Sequence, residues 1–261
     1  MRLAAAGDNC IDYYAAEGAA RPGGNPVNVA VNLVAGGGQA SYLGAVGSDD
    51  HGRLLIDALA GRGVDVSHVR VLPGKTAVTQ VELVDGERRF GEYDEGVMAD
   101  FRLREEDLDF IAGHDLFVTG LWGHLEDQLG LVRARGVPVA FDFATKPDDP
   151  VVAAAIGQVD YAFFATEGPD GDALRDRMRD YASRGPRVVV ATMGAYGSVA
   201  LADGVFIECP ARPCPVIDTM GAGDSYIAGF LRGVLLAAPV EECMRLGAVS
   251  ASRTLGINGA W

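Results

Sequence analysis

Residues 218–229 read Asp218-Thr219-Met220-Gly221-Ala222-Gly223-Asp224-Ser225-Tyr226-Ile227-Ala228-Gly229. Here two glycines open an apolar helix, and Asp224 stands in its first turn. The free N–H groups and the dipole at a helix N-terminus favour an anion, and glycine lets a phosphate approach the backbone. A carboxylate at such a site is a local conflict, which indicates function. We expect Asp224 to accept a proton from a hydroxyl that attacks a phosphoryl group. The alternative is a tight turn followed by an ordinary helix-terminal charge.

A second glycine-led segment lies early in the chain, at Gly23-Gly24-Asn25-Pro26-Val27-Asn28-Val29-Ala30. Asn25 is predicted to be a helix N-cap, with Pro26 at the first helical position. The apolar spacing predicts a helix over Pro26–Ala35, which Gly36-Gly37-Gly38 ends. The amides of Asn25 and Asn28 both donate and accept hydrogen bonds, which suits sugar hydroxyls. The alternative is a plain N-cap after a glycine turn.

Between and beyond these segments, short strand-like runs alternate with runs of helical period. Strands are predicted at Leu3–Ala6, Ala40–Val46, Leu116–Thr119, Pro138–Phe143, Tyr161–Ala165 and Arg187–Thr192. Helices are predicted at Asp50–Ala60, Glu126–Arg135, Pro150–Ala155, Asp170–Ser183, Ala222–Ala237 and Val240–Leu255. This alternation predicts an α/β fold whose central sheet is mostly parallel, with helices on both faces and ligands at the carboxyl ends of the strands.

Two pairs of strand-like runs have no helix between them. Thr76–Val84 and Arg88–Tyr93 are joined by Asp85-Gly86-Glu87, and Ser198–Ala202 and Val205–Glu208 are joined by Asp203-Gly204. Each pair is therefore predicted to form an antiparallel hairpin. The first is expected to belong to a small sheet set apart from the main one.

The composition of the 261 residues excludes several classes of protein. A hydrophobic content of 49% with 22% charged residues is that of a globular protein, not a disordered one. The net charge of −14 repels phosphate and anionic lipid, so nucleic-acid binding is excluded as a main function. The four cysteines and four histidines show no metal-ligand spacing, which favours reduced thiols. No leader peptide or membrane span is recognisable, so a cytoplasmic protein is expected.

Two common phosphate motifs are absent. Gly74-Lys75-Thr76 resembles the end of a P-loop, but Val69 stands where the motif needs glycine. Gly221-Ala222-Gly223 begins like a dinucleotide fingerprint, but Tyr226 occupies its third glycine position.

Taken together, the early Gly23-Gly24-Asn25…Asn28 and the late stretch from Asp218 to Asp224 resemble the two signatures of the ribokinase-like (PfkB-type) carbohydrate kinases. The resemblance covers essentially the whole chain, and the hairpin around residues 76–93 matches the β lid of the family. It implies a single ribokinase-like domain over residues 1–261, ATP and Mg²⁺ as cofactors, and a homodimer formed through the lid. It leaves open whether a monovalent cation is needed.

The resemblance also implies roles for individual positions. Asp224 matches the catalytic base, and the N–H groups of Gly221, Ala222 and Gly223 match the anion hole. The sugar-binding positions correspond to Asp12, Gly24, Asn25 and Asn28, and the nucleotide-binding positions to Thr192, Gly194 and Gly197. The family's Asn-x-x-Glu, which helps to organise Mg²⁺, is replaced by Ala165-Thr166-Glu167-Gly168. The metal-binding residues therefore stay open, with Glu167 or water as candidates.

Further segments resemble the members of the family that phosphorylate fructosamines, which are sugars carrying an amino acid. These segments are residues 7–12, 96–101, 122–124, 140–143, 216–225 and 259–261. They imply phosphorylation of the 6-hydroxyl of fructoselysine. The amino-acid arm of that substrate needs an aromatic wall and charged partners, for which the candidates are Tyr93, Glu95, Trp122, His124 and Glu126.

Two alternative functions remain at this point. One is a kinase of the same fold that acts on another ketose, a pentose or a nucleoside. The other is a non-catalytic sugar- or nucleotide-binding protein on the same fold, against which the presence of Asp224 argues.

Overall fold

The computed structural model describes residues 1–84 and 87–261. Its strands are β1 (Arg2–Ala6), β2 (Cys10–Tyr14), β3 (Ala19–Gly23), β4 (Gln39–Gly47), β5 (Asp65–Leu72), β6 (Val78–Val84), β7 (Glu87–Asp94), β8 (Leu116–Gly120), β9 (Val139–Asp142), β10 (Tyr161–Ala165), β11 (Val188–Thr192), β12 (Ser198–Ala202) and β13 (Val205–Cys209). Its α-helices are α1 (Asn25–Ala35), α2 (Asp50–Gly61), α3 (Glu105–Ile111), α4 (Leu129–Ala134), α5 (Pro150–Ala155), α6 (Asp172–Ser183), α7 (Ala222–Leu235) and α8 (Val240–Thr254).

The main sheet has the strand order β13-β12-β11-β10-β9-β8-β1-β4-β5. From β11 to β5 every pairing is parallel, and β12 and β13 add an antiparallel edge. The predicted mostly parallel sheet is therefore confirmed. Its central strands are covered on both faces, which is why β8, β9 and all of β1 after Arg2 are buried without alternation.

Helices pack against both faces of this sheet. On one face, α1, α7 and α8 bury an apolar layer that includes Val31, Phe230 and Met244. The layer on the opposite face includes Ile111 from α3 and Met178 from α6. With both faces filled, the edge at the carboxyl ends of the parallel strands stays open for a ligand.

A second, smaller sheet has the order β3-β2-β6-β7. The hairpin β6–β7 is antiparallel as predicted, while β2 and β6 pair in parallel. Asp85 and Gly86 of the predicted turn lie outside the described residues. Strand β6 begins at Val78, later than predicted, because Thr76 is tied to Asp49: its N–H and its hydroxyl donate to that carboxylate at 2.9 and 2.6 Å.

The prediction that Asn25 is the N-cap of α1 is wrong. Gly24, with φ of 115°, is the N-cap, and Asn25 lies inside the helix. The backbone N–H of Asn25 donates to the Asp8 carboxylate at 2.9 Å, so a residue from the end of β1 caps the helix. This leaves the side chain of Asn25 free to act elsewhere.

Helix α4 is shorter than the predicted Glu126–Arg135, because the Gln128 side chain instead bonds both the N–H and the carbonyl of Leu103, each at 2.9 Å.

None of the described helices is both long enough and apolar enough to cross a membrane.

Candidate active site

Asp224 lies in the first turn of α7, directly opposite the N-terminus of α1. Its two carboxylate oxygens accept hydrogen bonds from the amides of Asn25, at 2.6 Å, and Asn28, at 2.7 Å. Because Asn25 and Asn28 are three residues apart on a helix, both amides leave the same face. The two glycine-led segments, nearly 200 residues apart in the chain, are thus brought into direct contact.

A second carboxylate shares the Asn25 amide. The Asn25 Nδ2 also donates to Asp142 at 2.6 Å, and the other oxygen of Asp142 accepts the Ala144 N–H at 2.8 Å. Asp142 is the last residue of β9, so it stands at the open edge of the main sheet. Sequence reasoning did not nominate this residue; the signal that could have found it is an acidic residue ending an apolar strand.

The carboxyl groups in this region have raised pKa values. Burial, reinforced by the charge of Asp142, raises the pKa of Asp224 to about 8, although the amides of Asn28 and Asn25 oppose the shift. Burial likewise raises the pKa values of Asp142 and Asp8 to about 6. A carboxylate with a pKa near 8 is a far stronger base than an exposed aspartate, and this suits proton abstraction near neutral pH.

The orientation of the Asn28 amide is set by Trp261. The indole Nε1–H donates to the Asn28 Oδ1 at 2.8 Å, and since an indole N–H can only donate, the Asn28 NH₂ is turned toward Asp224. The neighbouring Gly259 N–H donates to Asp218 at 2.6 Å, which holds this segment against the loop before α7. Sequence reasoning did not identify Trp261 as part of the site.

A cavity of about 600 Å³ opens onto Asp224. Of the predicted substrate-binding residues it is lined by Asp12, Gly24, Asn25, Asn28, Tyr93 and Trp122. Glu95, His124 and Glu126 are not among its lining residues. The Glu95 Oε1 and the His124 Nε2 lie 3.4 Å apart next to Trp122, with side chains 39% and 42% exposed.

A second cavity, of about 550 Å³, also opens at the N-terminus of α7, where Ala222 and Gly223 line it. Its lining includes all three predicted nucleotide-binding residues, Thr192, Gly194 and Gly197, together with apolar side chains such as Val216 and Leu255. Thr192 and Gly223 line both cavities, so the two spaces meet beside Asp224.

The predicted anion-hole residues occupy different positions. Ala222 and Gly223 line the second cavity, whereas Gly221 lines neither. Gly221 has φ of 67°, and a Cβ there would come within 2.4 Å of the Ala260 Cβ. A Cβ on Gly223 would meet no atom within 4 Å, because it would point into open space. Gly221 therefore shapes the turn, and Gly223 leaves room for a ligand.

The predicted metal candidate, Glu167, is exposed and lines a third cavity, beside Thr166 and Arg177, rather than either of these two. Within residues 1–84 and 87–261, no three His, Cys, Asp or Glu side chains form a group that could hold a metal ion.

Comparison with known proteins agrees with this geometry. Residues 4–260 match the family described as "pfkB family carbohydrate kinase". "Fructoselysine 6-kinase" of Shigella flexneri is 44% identical over 259 residues, which cover 99% of this chain and 99% of that protein. "Fructosamine kinase FrlD" of Bacillus subtilis (strain 168) is 34% identical over 265 residues, covering 100% of this chain and 93% of the relative.

Among solved structures, the ribokinase of Arabidopsis thaliana, complexed with ribose and ATP, superimposes with a TM-score of 0.90 at 22% identity. The match covers 99% of this chain and 93% of that one. The predicted ribokinase-like fold is confirmed.

Proposed function

Because the chain belongs to the pfkB family of carbohydrate kinases, we propose that it transfers the γ-phosphate of ATP to the 6-hydroxyl of fructoselysine. The observation that carries the proposal is the place of Asp224, a carboxylate with raised pKa at the junction of two cavities. One cavity suits a polar sugar and the other the flat, largely apolar base of a nucleotide. The choice of fructoselysine as the sugar is supported by the similar proteins, which are a fructoselysine 6-kinase and a fructosamine kinase.

In the proposed reaction, Asp224 accepts the proton of the sugar O6 as that oxygen attacks the γ-phosphorus. A new O–P bond forms, the bond to the β-phosphate oxygen breaks, and ADP leaves with the electron pair. A positioned base of this kind contributes roughly 10²–10⁴-fold to the rate. Asn25 and Asn28 hold both oxygens of the carboxylate, so its position relative to O6 is determined before the substrate arrives.

The backbone at the start of α7 would stabilise charge on the transferred phosphoryl group. The Ala222 N–H already donates to the Thr219 carbonyl, at 3.3 Å. Gly223 lies where both cavities meet, and the absence of a side chain leaves its N–H accessible to a phosphate oxygen. One such donor is worth on the order of 10²–10³-fold in rate.

Mg²⁺, which the resemblance implies as the partner of ATP, would enter this site as a complex with the phosphates. Mg²⁺ keeps several water ligands and is commonly bound through phosphates and one or two carboxylates, so no protein cage is required.

The amino-acid arm of the substrate would leave the sugar cavity past Tyr93 and Trp122. These aromatic side chains are 39% and 44% exposed, and they offer apolar surface to the methylene stem. The Glu95–His124 pair beyond Trp122 presents one acidic and one basic group, which matches the ammonium and carboxylate at the end of a lysine.

The small sheet would close over the bound sugar and exclude water, which would limit hydrolysis of ATP.

We also propose that two chains pair through this sheet, as the resemblance to the family implies; sedimentation at the mass of one chain would contradict it. A cytoplasmic location stays a prediction.

The proposed function is tested by coupling ADP release to a spectrophotometric assay with fructoselysine, fructose and ribose as acceptors. We expect kcat/KM to be highest for fructoselysine by at least about tenfold, since groups buried for the arm stay unpaired with a plain sugar. Asp224→Asn keeps the size of the side chain and loses the base, so it should reduce kcat by at least about 100-fold.

Equal kcat/KM for fructose and fructoselysine would assign the chain to general ketose kinases. A kcat of Asp224→Asn within threefold of that of the original chain would show that Asp224 is not the catalytic base.

A further inference from the structure

Asp8 is a buried acidic residue that the mechanism does not use. It follows β1, is 7% exposed, and lines the sugar cavity. Its Oδ2 accepts the Asn25 N–H at 2.9 Å, while its Oδ1 has no hydrogen-bond partner among the residues that the structure describes. A buried carboxylate oxygen without a partner is unfavourable, so an occupant of the cavity is expected to satisfy it.

The other buried carboxylates at the centre of the site are already satisfied. Both oxygens of Asp224 are bonded to asparagine amides, and both oxygens of Asp142 accept N–H groups. Asp8 is thus the member of this group with an oxygen to spare.

The charge of the cavity favours a positively charged occupant. Its described lining contains four aspartates, namely Asp8, Asp12, Asp142 and Asp224, and contains no lysine, arginine or histidine. Although Asp224, with a pKa of about 8, carries only part of its charge at neutral pH, the lining has no positive side chain to offset the others. A neutral hydroxyl would satisfy the hydrogen bond of Asp8 without offsetting this charge. An N–H group of an ammonium ion would do both, and such charge-assisted bonds are about twice as strong as neutral ones.

This inference rests on the proposed function, because fructosamines carry such a group. The nitrogen that joins the sugar to the amino acid is a secondary amine, which is protonated at neutral pH and has two N–H donors. We propose that Asp8 determines specificity by accepting a hydrogen bond at Oδ1 from this ammonium.

The surroundings of Asp8 fit that role. The residues on both sides of Asp8 are held by Tyr42, whose hydroxyl donates to the Gly7 carbonyl at 2.7 Å and accepts from the Asn9 amide at 2.9 Å. Gly7 packs closely against Gly123: a Cβ on Gly7 would lie only 2.9 Å from the Gly123 Cα. The nitrogen bound at Asp8 would therefore lie beside the turn that carries Trp122 and His124, where the arm is proposed to leave.

Asp8→Asn separates recognition of the ammonium from support of α1. The carbonyl oxygen of the introduced amide still accepts the Asn25 N–H, whereas the negative charge is lost. The substrates are fructoselysine and its ether analogue, in which oxygen replaces the secondary amine and the arm is otherwise the same. We expect the amine-to-ether ratio of kcat/KM to fall about 10- to 100-fold in Asp8→Asn, as the loss of a hydrogen bond to a charged group predicts.

Asp49→Asn is the matched control, since Asp49 caps α2 through the Gly52 N–H at 2.8 Å and lines neither the sugar nor the nucleotide cavity. Asp49→Asn weakens the cap of α2, and we expect this change to leave the amine-to-ether ratio of kcat/KM as it is in the original chain. If Asp8→Asn does not fold, the amine-to-ether ratio of kcat/KM in the original chain still tests the proposal. A ratio below three would contradict it.

A ratio that stays the same in folded Asp8→Asn also overturns the inference, but leaves the proposed function standing. Failure of the original chain to phosphorylate fructoselysine, while it phosphorylates fructose, would overturn the proposed function itself.

Discussion

The Asn25 amide nitrogen donates to two carboxylates, and much of the chemistry of Asp224 follows from this contact. Asp142 and Asp224 are each 2.6 Å from that nitrogen, so they are close enough for one negative charge to disfavour the other. Burial and the charge of Asp142 together raise the pKa of Asp224 to about 8. Because a base must be deprotonated to act, kcat/KM is expected to rise with pH through this region.

Asp142→Asn should move that rise to lower pH. The substitution keeps an oxygen that can accept from Asn25 but removes the charge that raises the pKa of Asp224. We expect the acid limb of the kcat/KM profile to shift down by at least half a pH unit, measured by ADP release from pH 5.5 to 9.5. Asp12→Asn serves as a control that removes a different carboxylate from the same cavity. An unshifted limb in Asp142→Asn would contradict the coupling.

How much of the site could be predicted depends on how local its signal is. Asp224, Asn25 and Asn28 follow glycine turns at helix starts, so short-range pattern revealed them. Asp142 and Trp261 act through contacts with residues 117 and 233 positions away, and nothing in their own neighbourhood indicates those partners.

The start of α7 shows how two nearby glycines serve different ends. Gly221 adopts a positive φ and packs against Ala260, whereas Gly223 leaves space at the junction of the cavities. The same helix is joined to its neighbours by polar contacts: the Ser225 hydroxyl lies 2.9 Å from that of Ser250, and Thr254 donates to it at 2.8 Å. Because these hydrogen bonds hold α7 in place, the helix is not expected to shift when either glycine is substituted.

Alanine substitutions should separate these two roles. Gly221→Ala forces a Cβ into Ala260 and a disfavoured φ, so we expect the melting temperature to fall by several degrees. Gly223→Ala meets no protein atom, so the melting temperature should change little while kcat/KM for ATP falls at least tenfold. Calorimetric melting and ADP release measure the two effects; a Gly223→Ala chain with unchanged use of ATP would contradict the proposed anion hole.

Among the elements, those with a clear apolar run or period were predictable. These are the strands of the main sheet other than β5, and helices such as α1, α7 and α8. Strand β5 and helix α3 carry several charged residues and were not predicted. Strands β2 and β3 were not predicted because they are short and contain Asp12, Arg21 and Pro22, which hide any apolar alternation. They form because β2 pairs with β6 on one side and with β3 on the other, so that β3 adds to a sheet that the later strands complete.

For the whole molecule, the cluster of buried carboxyl groups makes stability depend on pH. The pKa values of Asp8, Asp142 and Asp224 lie at about 6, 6 and 8, above the value of 3.8 for an ordinary aspartate. The folded chain therefore binds more protons than the unfolded chain between pH 4 and 8. The stability contributed by their protonated forms is complete below pH 3.8 and is lost as the pH rises through 6 and 8.

We expect the melting temperature of the ligand-free protein to fall as the pH is raised from 6 to 9. Of the three carboxyl groups, Asp224→Asn removes the one with the highest pKa. The fall should therefore be smaller in that variant, which should be more stable than the original chain at pH 8. Scanning calorimetry in buffers of equal ionic strength measures both slopes. A melting temperature that rises over this interval would contradict the assignment of raised pKa values.

The contact between Asn25 and Asp224 spans 199 positions of the chain, and that between Asn28 and Trp261 spans 233. Strand β1 lies between β8 and β4, so the interior of the sheet cannot be completed from one end of the chain alone. Folding that depends on such distant pairings is slow, since each closes a long loop before it gains any contact energy. During synthesis, the base would be held in place only after almost the entire chain had left the ribosome. An incomplete chain would thus lack a positioned base and would not consume ATP through it.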